Sequence, residues 1–466
     1  MNMDKQSSLE VFSTMPVKKA VIKNVVPAIM AMLMVLVYNL ADTFFVGQTH
    51  DALQVAAVSL ATPAFLIFMS LGTVFGIGGT SVISRAMGEG RMEYAKKVCS
   101  FCMWSCVVLG IGLSVLFWVF MEPILQMIGT SAGTKEFSRI YLGIVALSGP
   151  FVLISNCFSN VLRAEGQATK AMTGMLLGNF LNIVLDPIMI LWLNWDILGA
   201  AVATVLGNVV GAGYYILYFL RGQSILSVRV KDFTLRDSVC TSVLAIGVPA
   251  SLGSLLMSVS QIVMNSQMAI YGDMAVAGIG VAMKVTMITG MLSIGLGQGV
   301  QPLLGFCVGA KTWKRYHSIM RYSIKISLIM GLALTLICYL FTNQIVGAFL
   351  ADKTAVDYGV EFARILLSTG ALFGVFYVLI NALQAMGAAI SSLVINLSRQ
   401  GLIYIPALFL LNSFFGIDGL AWTQPVADLL SICLAVFLYM STVNKLEKCQ
   451  ISHQASKITL TDSGNK

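Results

Sequence analysis

With 466 residues, 57% of them hydrophobic and only 11% charged, the chain is too apolar for a soluble domain, in which roughly a quarter of residues carry charge. The formal net charge of +8 sits in short loops between apolar runs. That pattern reports membrane orientation and excludes a nucleic-acid surface. Three histidines, His50, His317 and His453, lie at span ends or in tails, so no metal-ligand cluster is in sight and no cofactor is expected.

In chain order, "MNMDKQSSLEVFSTMPVKKA" has no apolar core or cleavage site of a signal peptide and reads as a cytoplasmic tail, residues 1–21. Twelve apolar runs then predict an all-α integral membrane fold with spans near 22–46, 54–82, 96–121, 136–161, 168–193, 198–220, 241–270, 276–308, 318–343, 357–385, 389–412 and 417–441. The basic loops "SRAMGEGRMEYAKK", "RVKDFTLRD" and "GAKTWKRYHS" alternate with "GQTHDAL", "NWDILGA" and "NSFFGIDG", which lack Lys and Arg. The positive-inside rule then puts both termini on the cytoplasmic side. The nine cysteines fall in spans or inner loops and read as small apolar side chains without disulfides.

The halves repeat. "NVVPA" at Pro27 returns as "IGVPA" at Pro249, and Gly76, Gly78 and Gly88 return as Gly297, Gly299 and Gly309. Asn160 answers Asn381, and Gly199 answers Gly419. An even number of spans per copy keeps both copies in one orientation. The expectation is an N-lobe over 22–222, a cytoplasmic linker over 223–240, a C-lobe over 241–442 and a C-terminal tail over 443–466. Such paired bundles suit a transporter that binds substrate between them and rocks one against the other.

Charges inside the spans carry the chemistry, since each costs at least a few kcal/mol there. At ~1.5 Å per residue, Asp42 lies roughly 28 Å up from Lys23 and Asp186 roughly 24 Å up from Lys170. Asn182 shares a helix face with Asp186, and Pro187 frees the carbonyl of Ile183 beside it. Thr204 enters at a comparable level. Oxygens of Asp42, Asn182, Asp186 and Thr204 could converge on a proton or on a hard cation such as sodium. Two acids together in a poor dielectric cannot easily both ionise, so the pair titrates as a unit. The rival readings are an acid snorkelling at a span end for Asp42 and a plain Asp-Pro turn for Asp186.

The second half has no acid at either equivalent place. Its deep charges are Lys284, Arg399 and Asp428. Arg399 answers Asn179 and Asp428 answers Asn208, which suggests a structural ion pair where the first half has two amides. A cleft-facing contact to substrate is the alternative for both. Lys284 has no evident mate and is either a snorkelling stem or a cleft residue.

Taken together, "YNLADTFFVG", "LNIVLDPIMI", the "RAMGEG" loop with its repeat, and "LRAEGQA" resemble the multidrug and toxic compound extrusion (MATE) family, over about residues 15 to 445. The resemblance is closest to the bacterial DinF-like and MepA-like branches. It implies two V-shaped six-helix lobes and a cation-coupled antiporter. It also implies a first-lobe cation network of Tyr38, Asp42, Tyr141, Asn156, Asn182, Asp186 and Thr204. The branch with acids in spans seven and ten is not matched, because Asn265 and Ser266 stand in the former region. The expected function is export of amphipathic, often cationic drugs in exchange for H+ or Na+, by a monomer in the lipid bilayer with no nucleic-acid partner. A flippase of lipid-linked sugars is the runner-up, although it would want several cavity-facing cations. An enzyme would need a nucleophile–base set at depth.

Overall fold

The computed structural model describes residues 10–48, 52–350 and 352–463. His50 lies outside them, and the side chains of Cys449 and His453 are likewise not described. The N-lobe is built from α1 (Val17–Gly47), α2 (Ala52–Gly88), α3 (Met92–Val119), the short α4 (Met121–Met127), α5 (Lys135–Leu147), α6 (Gly149–Ala164), α7 (Ala168–Pro187) and α8 (Asp196–Leu220). The C-lobe repeats the series as α9 (Val239–Ala269), α10 (Asp273–Gly309), α11 (Trp313–Leu340), α12 (Thr342–Phe349), α13 (Lys353–Leu367), α14 (Gly370–Ala385), α15 (Ala389–Leu397) and α16 (Tyr404–Ser463).

Twelve crossings emerge from these helices. Among the described residues nine helices are long and apolar enough to cross a membrane alone. The pairs α5/α6 and α13/α14 make one bent span each, at 54° and 46°. The bends fall at repeat-equivalent Gly149 and Gly370, where a side chain would collide with α3 and α11 respectively. Gly416, at φ 60°, breaks α16 into two spans. Within the loop expected at "NSFFGIDG" the chain turns on this one left-handed glycine.

Antiparallel alternation gathers the basic loops on one face, the basic face. α2 and α10 are each 37 residues long, longer than the ~20 needed to span hydrocarbon, and both end at this face. Here the lobes meet. A Cβ on Gly78 would stand 2.2 Å from the carbonyl oxygen of Val243, and one on Gly247 would stand 1.9 Å from that of Val74. At the rim, Gly88 abuts the carbonyl of Phe306 and Gly309 abuts that of Arg85, at 2.2 and 2.1 Å by the same measure. These two contacts are images of one another under the repeat, so α2 and α10 cross on the pseudo-twofold axis. Only glycine permits backbones this close.

The linker lies on the N-lobe. Buried Glu165 accepts from Ser224 Oγ at 2.9 Å and from the Ile225 amide at 2.6 Å. Ser100 Oγ and Trp104 Nε1 donate to the Arg229 and Val228 carbonyls at 2.7 and 3.1 Å. Lys97 Nζ donates to Asp237 at 2.8 Å and holds that exposed carboxyl below its ordinary range. The described cysteines are all free, and most are buried.

Candidate cation site in the first lobe

Four helices bring the predicted oxygens together. α1 presents Tyr38 and Asp42 one turn apart on a single face. α7 presents Asn182 and Asp186 in the same spacing. α5 contributes Tyr141 and α8 contributes Thr204. The frame is tight where α7 crosses α8: a Cβ on Gly178 or Gly207 would come within 2.7 Å of the other's carbonyl oxygen. α1 packs along α7.

The α5, α7 and α8 side chains of the cluster are buried, while Tyr38 and Asp42 of α1 are half-buried. Asp186 is 0% exposed and Asn182 2%. Tyr38 and Tyr141 both reach Thr204 and stand within electrostatic range of Asp42 and Asp186. The two carboxylates are in range of each other. Asn182 Nδ2 donates to Thr204 Oγ1 at 3.4 Å, and Thr204 spends its own proton on the Ala200 carbonyl at 3.0 Å. Asp42 Oδ1, Asn182 Oδ1 and both oxygens of Asp186 are therefore left buried with no donor. All four are acceptors. Unsatisfied buried polar groups are costly, and a set made only of acceptor oxygens suits a proton or a hard cation.

Local sequence explains why α7 can carry this load. Pro187 has no amide proton, and directly after it the helix widens into a π-turn over Ile188–Trp192. Leu193 N donates to Ile188 O at 2.9 Å. Such π-turns gather at functional sites. Asp-Pro thus falls within a continuing span, not at a simple turn.

Asn156 turns elsewhere. It lies on α6, beyond the bend from Tyr141. Its Oδ1 accepts from Thr73 at 3.5 Å and its Nδ2 donates to the Met69 carbonyl at 3.4 Å, both on α2.

In the C-lobe, Arg399 Nε donates to Asp428 Oδ1 at 2.7 Å. Gln424 and Thr369 add donors to the same carboxylate at 2.8 and 3.4 Å. The guanidinium also lies over Phe373, Phe376 and Tyr377, at 5.1, 4.8 and 5.7 Å from the ring centres. Sequence reasoning missed this aromatic cage and the two extra donors. Gln424 was legible one helical turn before Asp428, whereas the cage comes from α14 and had no local signal. Arg399 lies inside a π-turn, Ser398–Leu402. Asn208, the repeat image of Asp428, donates to the Thr204 carbonyl of its own helix at 2.8 Å. Lys284 Nζ sits over the Phe349 ring at 5.2 Å.

The MatE family model matches residues 27–188 and again 249–410. The two matches start at Pro27 and Pro249, so the family unit is the internal repeat itself. The chain belongs to the MatE family. A multidrug export protein MepA of Staphylococcus haemolyticus is 30% identical over 442 residues, 95% of this chain and 97% of that one. Its namesake from Staphylococcus aureus is 29% identical over 434 residues, covering 93% and 96%. In three dimensions a MATE crystallised with MaL6 superposes with a TM-score of 0.90 at 23% identity, covering 96% of this chain and 100% of that one. An outward-facing multidrug resistance MATE transporter matches equally well, at 0.90 and 23%, covering 96% and 99%. This MatE chain is therefore a multi-pass membrane transporter with the two-lobe, twelve-helix fold, and not an enzyme.

Proposed function

We propose that the protein is a multidrug efflux antiporter, exporting amphipathic, often cationic organic compounds in exchange for a proton or sodium. Four donorless acceptor oxygens, on Asp42, Asn182 and Asp186, carry this reading. Two carboxylates in a water-poor pocket hold one proton or cation far more cheaply than two bare charges. Loading from outside removes one of the pair's two charges. That lets α1 and α7 close on each other and squeezes the first-lobe cavity. Release to the inside restores the charge and reopens the cavity. The sodium alternative would use the same oxygens, with Thr204 as a further ligand.

The lobes touch across the basic face, which supports an outward-open state if that face is cytoplasmic. The alternating loop charges favour this placement, with both termini inside a bacterial plasma membrane. The names of the staphylococcal relatives support the multidrug substrate class. A flippase for pyrophosphate-linked sugars draws less support, because Arg399 is neutralised by Asp428 and Lys284 is left as one cation beside an aromatic ring. The test is drug uptake into everted vesicles, driven separately by a pH gradient and by a sodium gradient. Uptake driven by either, and lost in Asp42→Asn, fits the proposal. Uptake indifferent to both gradients refutes it.

A further inference from the structure

The stretch before α1 does not belong to the lobe that α1 opens. Residues 10–13 form one helical turn, closed by the Thr14 and Met15 amides donating to the Glu10 carbonyl at 3.1 and 2.9 Å. Val11 and Phe12 are 0% and 1% exposed, which is unusual for a leader at a membrane surface. What buries them is the C-lobe. The Phe12 ring stacks on Phe306 of α10 at 5.3 Å and 17°. Arg315 Nη2, on α11, donates to the Val11 and Met15 carbonyls at 3.3 and 2.7 Å.

Phe306 is also the residue whose carbonyl abuts Gly88. One residue therefore anchors both the leader and the lobe-to-lobe crossing. The repeat supplies a counterpart. Phe233, in the linker before α9, answers Phe12 and stacks on Phe101 of α3 at 6.0 Å and 25°. Each lobe's first helix is thus preceded by a segment clasped to the opposite lobe. The two clasps differ in one respect. The linker is covalently tied to both lobes, whereas residues 10–15 run on into α1 and grip the C-lobe through noncovalent contacts.

We propose that residues 10–15 are a releasable latch that holds the lobes together at the basic face. The inner end of α1 also packs on α10, Val25 against Gly299 and Ala28 against Gly295, so parting α1 and α2 together from α10 takes Phe12 off Phe306 and the two carbonyls off Arg315. The latch extends the exchange reading by naming what resists the opposite state of the cycle. It works without drug or ion, so it can be measured without either.

The test places spin labels at Glu89→Cys and Lys311→Cys, on exposed turns after α2 and α10, with Cys240, Cys433 and Cys449 changed to Ser. Distances are read by double electron–electron resonance on the full chain in lipid nanodiscs. Phe12→Ala and Arg315→Gln should each raise the long-distance population roughly two- to tenfold, the equilibrium equivalent of one lost stacked pair or one lost hydrogen bond. A wild-type distribution in either folded variant overturns the latch. Should Phe12→Ala fail to fold, Arg315→Gln decides alone. Neither label reads transport, so unmoved distances in a chain that still exports drug sink the latch and leave the exchange standing. Gradient-independent export sinks the exchange and leaves the distance result to judge the latch.

Discussion

The two lobes share a helix plan, a bend, a glycine crossing and a leader clasp, yet they treat buried charge in opposite ways. In the C-lobe Asp428 accepts from three donors, Arg399, Gln424 and Thr369, and an aromatic cage holds the guanidinium in place. In the N-lobe Asp186 is just as buried and has no donor. The difference teaches which acid has work left to do. A carboxylate with its donors in place is a strut. A donorless one is held at a free-energy cost that something must offset, and a transported ion can do so. The π-turns mark the same division: one follows Asp186-Pro187 and the other encloses Arg399.

The comparison breaks most sharply at the N-lobe acids. Asp42→Asn and Asp186→Asn should each reduce drug export to the level of vesicles lacking the protein, while the purified variants keep their thermal stability. Stability without export assigns these acids to coupling. A lowered melting temperature would make them structural after all.

Next in size is the C-lobe strut. Arg399→Asn or Asp428→Asn alone should destabilise by about 3–5 kcal/mol, the usual cost of orphaning one member of a buried pair. The double variant, which installs the pair of asparagines found at 179 and 208, should recover most of that loss. Thermal unfolding of the three proteins in detergent measures this, and a double variant as unstable as either single would show that the pair is not the unit.

At the crossing, Gly88→Ala or Gly309→Ala places a methyl against a carbonyl. Each should cost on the order of 1–3 kcal/mol of closed-state stability through overpacking, seen as greater labelling of a cysteine at Glu89 from the basic face. The smallest effect belongs to Asn156. Its bonds run to α2, so Asn156→Ala should change export severalfold at most and leave ion dependence unmoved. A complete loss of ion dependence would return Asn156 to the network.

Much of this was readable from the chain alone. The twelve spans followed from apolar runs, and the lobes followed from Pro27/Pro249 and the glycine blocks. Asp42 and Asp186 stood out because a carboxylate in hydrocarbon needs a reason. Arg399 and Asp428 could be matched through the repeat because both fall at one offset and one depth. What stayed hidden depends on side-chain direction across long sequence separations. Asn156 and Tyr141 share one predicted span, but the bend at Gly149 turns them toward different neighbours. Phe373, Phe376 and Tyr377 look like lipid-facing aromatics until α14 is placed beside Arg399. The leader at Val11 and Phe12 is too short and too weakly patterned to announce partners in α10 and α11, some 300 residues away.

The central claim is that Asp42 and Asp186 jointly hold the exchanged ion. Its most direct test is ion release on drug binding, measured on purified protein in weak buffer with a pH indicator and, in parallel, a sodium electrode. The account predicts that drug expels protons or sodium from the wild type and from the Arg399→Asn/Asp428→Asn double variant, but none from Asp42→Asn or Asp186→Asn. Undiminished release from both of those single variants would contradict it.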